Sequence, residues 1–462
     1  MQIDSIEFKR DLMASVSFCI PSQLALSERD PQLIIAYQAQ HIYRWQDWLC
    51  QVKYYASRFI CTSYKSYVLT VENSWNFLIG LFALWYAGKK IIIPPNNLPL
   101  TLLQISTEFD AILNDSDFQK EYSFLPEYLV QPLRAEECEL IIYTSGSTGE
   151  PKAILKTLKQ LEAEIEVLHQ MWGARYNRAK RIVSTVPHHH IYGLLFRLLW
   201  PLAAAVPFEV ELFKLPDELF RQASLTHPII LVSSPAHLSR LPELIDISKF
   251  LTFVNICFSS GGAVTPETAG QFIEASGFSP IEVLGSTETG GIAWRQQKQN
   301  DVAWSALPKV ICTQAPDTSL VVQSPFVRAS WKTADSVEFL ADGRWILKGR
   351  LDRIIKMEEK RLSLEELETN LCQHAWVEKS YSLVLEKKRP MLCVAIVLTV
   401  EGLKQLKSLG KASVVQALRH YLLQHYDRVL LPRRWRFMKQ LPLSEGGKIC
   451  RLSLLRNFEE QH

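Results

Sequence analysis

The sequence has no excess of charge of one sign, since 51 Lys and Arg residues stand against 48 Asp and Glu residues. This balance gives no sign of nucleic-acid binding, which depends on clustered positive charge. The nine cysteines are scattered, and no two of them are spaced C-x-x-C. An odd, dispersed set is typical of reduced packing residues in a cytoplasmic protein, so we expect no disulfide framework.

Long apolar runs, internal repeats and low-complexity tracts are also missing. The longest apolar runs are Phe77–Ala87, which is too short to cross a bilayer, and Ile191–Phe208, which Arg197 and Pro201 interrupt. The charged N-terminus has no signal-peptide core. We therefore expect buried helices at both runs, no integral membrane segment, and a core that 462 residues can build without disulfides.

Strand-like and helix-like segments alternate through the first 350 residues. The pattern predicts helices over Trp45–Phe59 and Trp75–Ala87, and strands over Leu33–Tyr37, Tyr67–Thr70, Lys90–Ile93, Ile229–Ser233 and Val254–Phe258. Alternation of this kind is typical of an α/β fold with a largely parallel sheet.

The composition changes after Asp352, where the chain becomes more charged. Ser363 and Glu366 form a predicted capping box, which opens a helix with leucines on one face. We therefore predict two domains, residues 1–350 and a smaller α+β domain of residues 351–462.

A loop rich in glycine and hydroxyl groups follows a predicted strand, Leu140–Tyr143, and reads Thr-Ser-Gly-Ser-Thr-Gly over residues 144–149. Such a loop lets backbone N–H groups approach an anion, Lys152 can neutralise phosphate charge, and the helix that follows would add its positive end. The glycines are too close together for a Walker loop. On these residues alone, a simple polar strand-to-helix loop remains an equal alternative.

The whole segment Leu140–Leu155, LIIYTSGSTGEPKAIL, closely resembles the phosphate-binding loop of the adenylate-forming (AMP-binding) superfamily. This superfamily includes acyl-CoA synthetases, aryl-acid ligases, luciferases and the adenylation domains of peptide synthetases. The resemblance implies a large N-terminal domain of layered sheets and helices with a small, mobile C-terminal domain. It also implies that ATP is bound by Thr144, Ser145, Gly146, Ser147, Thr148, Gly149 and Lys152.

Further blocks follow in the family's order. Glu282–Arg295 resembles the segment that contacts the acyl-adenylate, which implies that Thr287 contacts phosphate or carboxylate and that Glu288 binds Mg²⁺. A carboxylate suits Mg²⁺, which prefers oxygen ligands and substrate phosphates. Thr333-Ala334-Asp335 resembles the family's Thr-Gly-Asp, in which the Asp accepts hydrogen bonds from both ribose hydroxyls.

The C-terminal blocks also match. In Gly349–Lys356, the resemblance implies that Arg350 contacts ribose or phosphate and that Asp352 is a hinge. In Leu441–Arg451 it implies that Lys448 is catalytic and bridges the substrate carboxylate and the α-phosphate.

Two weaker segments agree with these blocks. Val186–Gly193 resembles a family segment, which implies that His190 lies near the acyl pocket. Ser260–Ala263 resembles another family segment, which implies that Gly262 passes beside the adenine. Three adjacent histidines also suggest a metal site. Because successive side chains point in different directions, we consider that alternative weak.

The implied activity is ATP-dependent conversion of a carboxylic acid, fatty or aryl, to an acyl-adenylate, followed by transfer to a thiol of CoA or of the phosphopantetheine on a free acyl carrier protein. The absence of Asp between Ser184 and Trp200 disfavours an amino acid. Two alternatives stay open. One is a nucleotide- or acyl-binding relative without turnover. It is suggested by Leu284, which stands where the family commonly has an aromatic residue, and by Glu359, which stands where many family members have glycine. The other is a ligase with an amine or oxygen acceptor.

Overall fold

The computed structural model describes residues 18–118, 131–145, 151–298, 301–357, 360–385, 391–426, 428–443 and 449–459. Contacts divide the chain into two compact units, the first formed by Met1–Ile311 and Gln323–Trp331, the second by Cys312–Val322 and Lys332–His462. By this division, residues 332–350 group with the C-terminal part of the chain. The functional domain boundary at residue 350 stays a prediction.

The first unit contains two sheets. Its strands are β1 (Ile34–Gln38), β2 (His41–Arg44), β3 (Ser66–Leu69), β4 (Lys90–Ile93), β5 (Ala111–Leu113), β6 (Glu139–Ser145), β7 (Pro151–Thr157), β8 (Arg181–Ser184), β9 (Phe208–Glu209), β10 (Ile229–Ser233), β11 (Val254–Ser259), β12 (Ile281–Ser286), β13 (Gly290–Gln296) and β14 (Ser305–Ala306). One sheet has nine strands in the order β14-β13-β12-β11-β10-β8-β9-β1-β2, and the other has five in the order β5-β3-β4-β6-β7.

The centre of each sheet is parallel. Both edges of the nine-stranded sheet and the β7 edge of the five-stranded sheet are antiparallel, whereas the β5 edge is parallel. Strand β10 runs parallel to β8 and β11, β11 runs parallel to β12, and β4 runs parallel to β3 and β6. Every residue of β10 is buried, because the parallel strand is covered on both faces, and four of its five residues are apolar. The predicted α/β fold with a largely parallel sheet is confirmed.

Helices cover these sheets. The longer ones are Trp45–Ile60, Ser74–Tyr86, Leu158–Tyr176, Pro216–Leu225 and Pro266–Ser276, and the shorter ones are Pro99–Gln104, Ile191–Gly193, Trp200–Ala204, Pro235–Leu238, Leu241–Leu244 and Ile247–Leu251. Asn73 caps the second of these helices by accepting hydrogen bonds from the amides of Trp75 and Asn76. Both helices that the sequence predicted in the first 100 residues are present, within two residues at each end.

The apolar run Ile191–Phe208 is helical and largely buried as far as Ala204, as predicted, with a π-helical stretch in its middle. It forms a turn of helix, a π-helix at Leu194–Leu199 and a short helix that ends at Ala204. Ala205 then adopts a left-handed conformation with φ 55°, which stops the helix, and Phe208 begins β9. None of the described helices is both long and apolar enough to cross a membrane.

The second unit is α+β. Its strands are β15 (Ile311–Gln314), β16 (Ser319–Gln323), β17 (Trp331–Phe339), β18 (Trp345–Arg350), β19 (Ile354–Met357), β20 (Lys360–Ser363), β21 (Val377–Leu385), β22 (Met391–Leu398) and β23 (Arg434–Met438), and its helices are Leu364–Cys372, Val400–Leu422 and Arg451–Glu459. The Ser363 hydroxyl accepts from the Glu366 amide, which is the N-cap half of the predicted capping box, and Leu364, Leu367 and Leu371 of the predicted helix face are buried.

Candidate active site

The predicted phosphate loop joins two antiparallel strands. Strands β6 and β7 form a hairpin in which Thr144 lies opposite Lys152, while Gly146, Ser147, Thr148 and Gly149 fall outside the described residues. The expectation that a helix follows the loop directly is wrong. Strand β7 intervenes and the helix begins only at Leu158, so its positive end does not adjoin the loop.

A second hairpin carries Thr287 and Glu288. Strands β12 and β13 pair from Ile281 opposite Gln296 to Ser286 opposite Gly290, and the two predicted site residues lie in the turn between them. The turn is closed by its own hydroxyl groups, because the side chains of Ser286 and Thr289 lie 3.1 Å apart and each accepts from the other's amide.

Glycine is required where this hairpin closes. A Cβ on Gly285 would lie 2.3 Å from the carbonyl oxygen of Gly290, which is far inside normal contact. Gly290 itself has φ 68°, in the left-handed region that favours glycine.

We expect Gly285→Ala to destabilise the protein by about 1–3 kcal/mol, because the added methyl group must push the two strands apart. Urea unfolding measures this change. Gly270→Ala is the matched control, since a Cβ at Gly270 meets nothing within 4 Å. Equal free energies of unfolding for the two variants would contradict the prediction.

The two hairpins meet through a charged pair. Nζ of Lys152 lies 2.8 Å from Oε1 of Glu288, although 136 residues separate them in sequence. Burial alone would raise the pKa of Glu288, but hydrogen bonds from Lys152, the backbone and Ser286 outweigh it, so the pKa is lowered and the carboxylate is ionised. This places a cation and an anionic oxygen ligand side by side.

The charge and ligand type of Glu288 fit Mg²⁺. Among the residues described here, no group of three or more His, Cys, Asp or Glu side chains could hold a metal ion alone. A single carboxylate together with substrate phosphates is a usual way for proteins to bind Mg²⁺.

A buried lysine also reaches this turn, and sequence reasoning missed it. Lys156 is only 2% exposed, and its Nζ donates to the carbonyl oxygens of Glu288 at 2.8 Å and Phe326 at 2.9 Å. The available signal was a lysine within the apolar stretch Ala-Ile-Leu-Lys of β7. Since lysine is usually exposed, that signal was weak.

Glu282 ties the turn after β11 to the second hairpin. Its carboxylate accepts from Arg295 at 2.7 and 2.8 Å and from the Val264 amide at 2.8 Å. The Ser260 hydroxyl donates to the carbonyl of Val283 at 2.8 Å. The exposed Gly262 is thus held beside β12, at the carboxyl end of parallel strands where ligands of α/β sheets bind.

His190 immediately precedes the helix Ile191–Gly193, and its ring centroid lies 4.5 Å from that of His189. His188 is buried and its Nε2 lies 2.9 Å from the carbonyl oxygen of Val71. Burial, with the charge of Arg197, lowers the pKa of His188 well below its usual range and that of His189 to about 4. These two imidazoles are therefore neutral at physiological pH.

In the second unit, the structure brings Asp335 and Arg350 together. They lie opposite each other on β17 and β18, with Nη1 of Arg350 3.3 Å from Oδ1 of Asp335. The Arg350 amide donates to Glu365 at 3.1 Å. Lys448 lies outside the described residues.

Residues 97–322 match the family model of the AMP-binding enzyme. The chain is 25% identical over 318 residues to 4-coumarate–CoA ligase of Cereibacter sphaeroides, which covers 66% of this chain and 69% of that protein. It is 22% identical to D-alanine–D-alanyl carrier protein ligase of Staphylococcus aureus, over 84% of this chain and 89% of the relative.

The fold is also similar to that of ATP-bound MatB from Rhodopseudomonas palustris. The TM-score is 0.75 at 16% identity, and the likeness covers 95% of this chain and 98% of the other. Residues 97–322, just under half of the chain, therefore match the AMP-binding enzyme family, and the chain shares the fold of ATP-bound MatB over 95% of its length.

Proposed function

We propose that the protein uses ATP to activate a carboxylic acid, fatty or aryl, as an acyl-adenylate and then transfers the acyl group to the thiol of CoA or of a free acyl carrier protein. The observation that carries this proposal is the Lys152–Glu288 pair, which joins the phosphate-loop hairpin to the hairpin that bears Thr287. The CoA ligase and carrier protein ligase among the relatives support both thiol acceptors.

The chemistry explains why these residues lie together. The substrate carboxylate attacks the α-phosphorus of ATP, and pyrophosphate leaves. In the second step the thiol attacks the acyl carbon of the acyl-adenylate, and AMP leaves. Because two anions must approach in the first step, the site needs positive charge and fixed geometry. Lys152 supplies charge at the phosphate hairpin, and Lys448 would supply it between carboxylate and α-phosphate. Mg²⁺, when bound at Glu288, would neutralise phosphate charge.

Two further predicted roles concern the adenosine. Asp335 would accept hydrogen bonds from both ribose hydroxyls, and its pairing with Arg350 keeps a cation next to it for ribose or phosphate. Gly262 would leave room for the adenine ring beside β12, because glycine has no side chain to occupy that space.

The His190 segment favours a substrate without an ammonium group. His188 is neutral, Arg197 is buried and donates to the Val210 carbonyl and the Ser74 hydroxyl, and the sequence from Ser184 to Trp200 contains no Asp or Glu. An α-ammonium group would therefore meet no carboxylate there, which supports a plain carboxylic acid.

The test is acid-dependent exchange of labelled pyrophosphate into ATP, with aromatic, short-chain and long-chain acids and with amino acids as controls. We expect exchange with one class of plain carboxylic acid. CoA and a phosphopantetheinylated carrier protein then identify the acceptor by thioester formation. If no acid in the panel supported pyrophosphate exchange, with folded protein and Mg²⁺ present, the proposal would be rejected in favour of a binding protein without turnover.

A further inference from the structure

We propose that Lys156 and Glu164 are positioning residues that fix the turn bearing Thr287 and Glu288. Both belong to the continuous segment formed by β7 and the helix Leu158–Tyr176, which also carries Lys152. The inference rests on the proposed function for what Glu288 does, but its structural part concerns the turn alone.

The side chain of Lys156 bonds the main chain of the turn on one side, at Glu288. Its ammonium group is buried, and two of its three N–H donors go to the carbonyl oxygens of Glu288 and Phe326. A buried ammonium is costly unless its donors are paired. Burial lowers the pKa of Lys156 to about 8, against the attraction of Glu164 and Glu288, so the lysine remains largely charged at neutral pH.

Glu164 holds the other side. Its Oε1 accepts from the amide of Gly291 at 2.7 Å, and a Cβ on Gly290 would lie 2.3 Å from its Oε2. The side chain is buried, which raises its pKa to about 7 in spite of the Gly291 amide and Lys156. The carbonyl of Glu288 and the N–H of Gly291 are thus both bonded to one continuous segment of the chain, strand β7 and the helix that follows it.

A purely structural role is the competing explanation, because buried charges can often be replaced by apolar residues without loss of stability. Here, however, Lys156 donates to the main chain of the turn at Glu288, and Glu164 accepts from the main chain at Gly291, in the strand that leaves the turn. A methionine at position 156 would fill the space and leave the Glu288 and Phe326 carbonyls without that donor. We therefore expect the turn to open more often while the rest of the fold stays intact.

Hydrogen exchange in the full-length protein tests this directly. In Lys156→Met, amides in residues 286–291 should exchange at least about tenfold faster, while those of β10 should not change. Lys159→Met is the matched control, since Lys159 is exposed and pairs with Glu136 at 2.7 Å. Glu164→Gln keeps an acceptor for the Gly291 amide and should leave the exchange near wild type, whereas Glu164→Leu should raise it.

The second readout is the Mg²⁺ concentration that half-saturates pyrophosphate exchange. We expect Lys156→Met to raise it by about 10-fold or more, the scale on which residues that orient a metal ligand act. Unchanged amide hydrogen exchange at residues 286–291, or faster hydrogen exchange throughout the first unit, would overturn the inference. If the methionine variant does not fold, Glu164→Leu provides the same reading.

These outcomes are separable from failure of the proposed function. A wild-type protein that activates no acid would reject that function, whereas the hydrogen-exchange difference at residues 286–291 would still decide whether Lys156 and Glu164 hold the turn.

Discussion

Replacement of Lys448 with alanine is expected to slow acid-dependent pyrophosphate exchange by about 10²–10³-fold, the usual cost of removing a charge-stabilising donor at the reacting group. The role of Lys448 follows from the resemblance of residues 441–451 to the family's catalytic loop. Its ammonium group would lie between two anions that otherwise repel each other. The residues that flank its loop are tied together, because Leu443 and Ile449 form an antiparallel bridge.

Comparison of the two half-reactions makes this prediction specific. Thioester formation from a synthetic acyl-adenylate should persist in Lys448→Ala, because that step no longer requires attack on the α-phosphorus. Lys439→Ala is a suitable control, since Lys439 is an exposed lysine of the same unit. Normal exchange in the Lys448 variant would contradict the assignment of this residue to the first step.

Much of the first unit was predictable because its central strands are buried on both faces. The predicted strands Lys90–Ile93 and Ile229–Ser233 match the structure at both ends, and Val254–Phe258 is longer by one residue. Continuous apolar runs bounded by turn residues leave few other interpretations. The N-cap at Ser363 was predictable for a local reason, since its hydrogen bond joins residues only three apart.

Strand β7 was missed because it is an edge strand with a mixed composition. It carries Lys152 and Lys156 and has a neighbour on only one side, β6. The helical spacing that begins at Leu158 was the stronger signal, so the segment before it was assigned to the loop. Edge strands tolerate charge and give a weak periodic pattern.

The site itself was not predictable from local pattern. Lys152 and Glu288 belong to different sheets, and Lys156 contacts a carbonyl 170 residues away. Such pairs follow from the packing of the layers, which sequence periodicity does not specify. Only the family resemblance pointed to Glu288, and it contained no hint of Lys156.

Replacement of Glu288 with glutamine is expected to lower pyrophosphate exchange by about 10²-fold and to raise the Mg²⁺ requirement, because a bound metal ion stabilises transition-state charge by several kcal/mol and the neutral amide would hold it less well. Glutamine keeps an oxygen acceptor for Lys152, so the 2.8 Å contact between the hairpins can persist without the negative charge. Glu274→Gln, at an exposed position of the same unit, is the control.

The pH dependence of stability gives an independent reading of the same substitution. The pKa of Glu288 is lowered in the folded protein, so its carboxylate stabilises the fold above the pKa of the unfolded chain. That contribution disappears as the pH falls through the lowered value, and wild type and Glu288→Gln should then converge in free energy of unfolding. A constant difference at all pH values would mean that the ionised carboxylate contributes nothing to folding. If Glu288→Gln then lost only pyrophosphate exchange, Glu288 would act in the reaction and would not be needed to hold the two hairpins together.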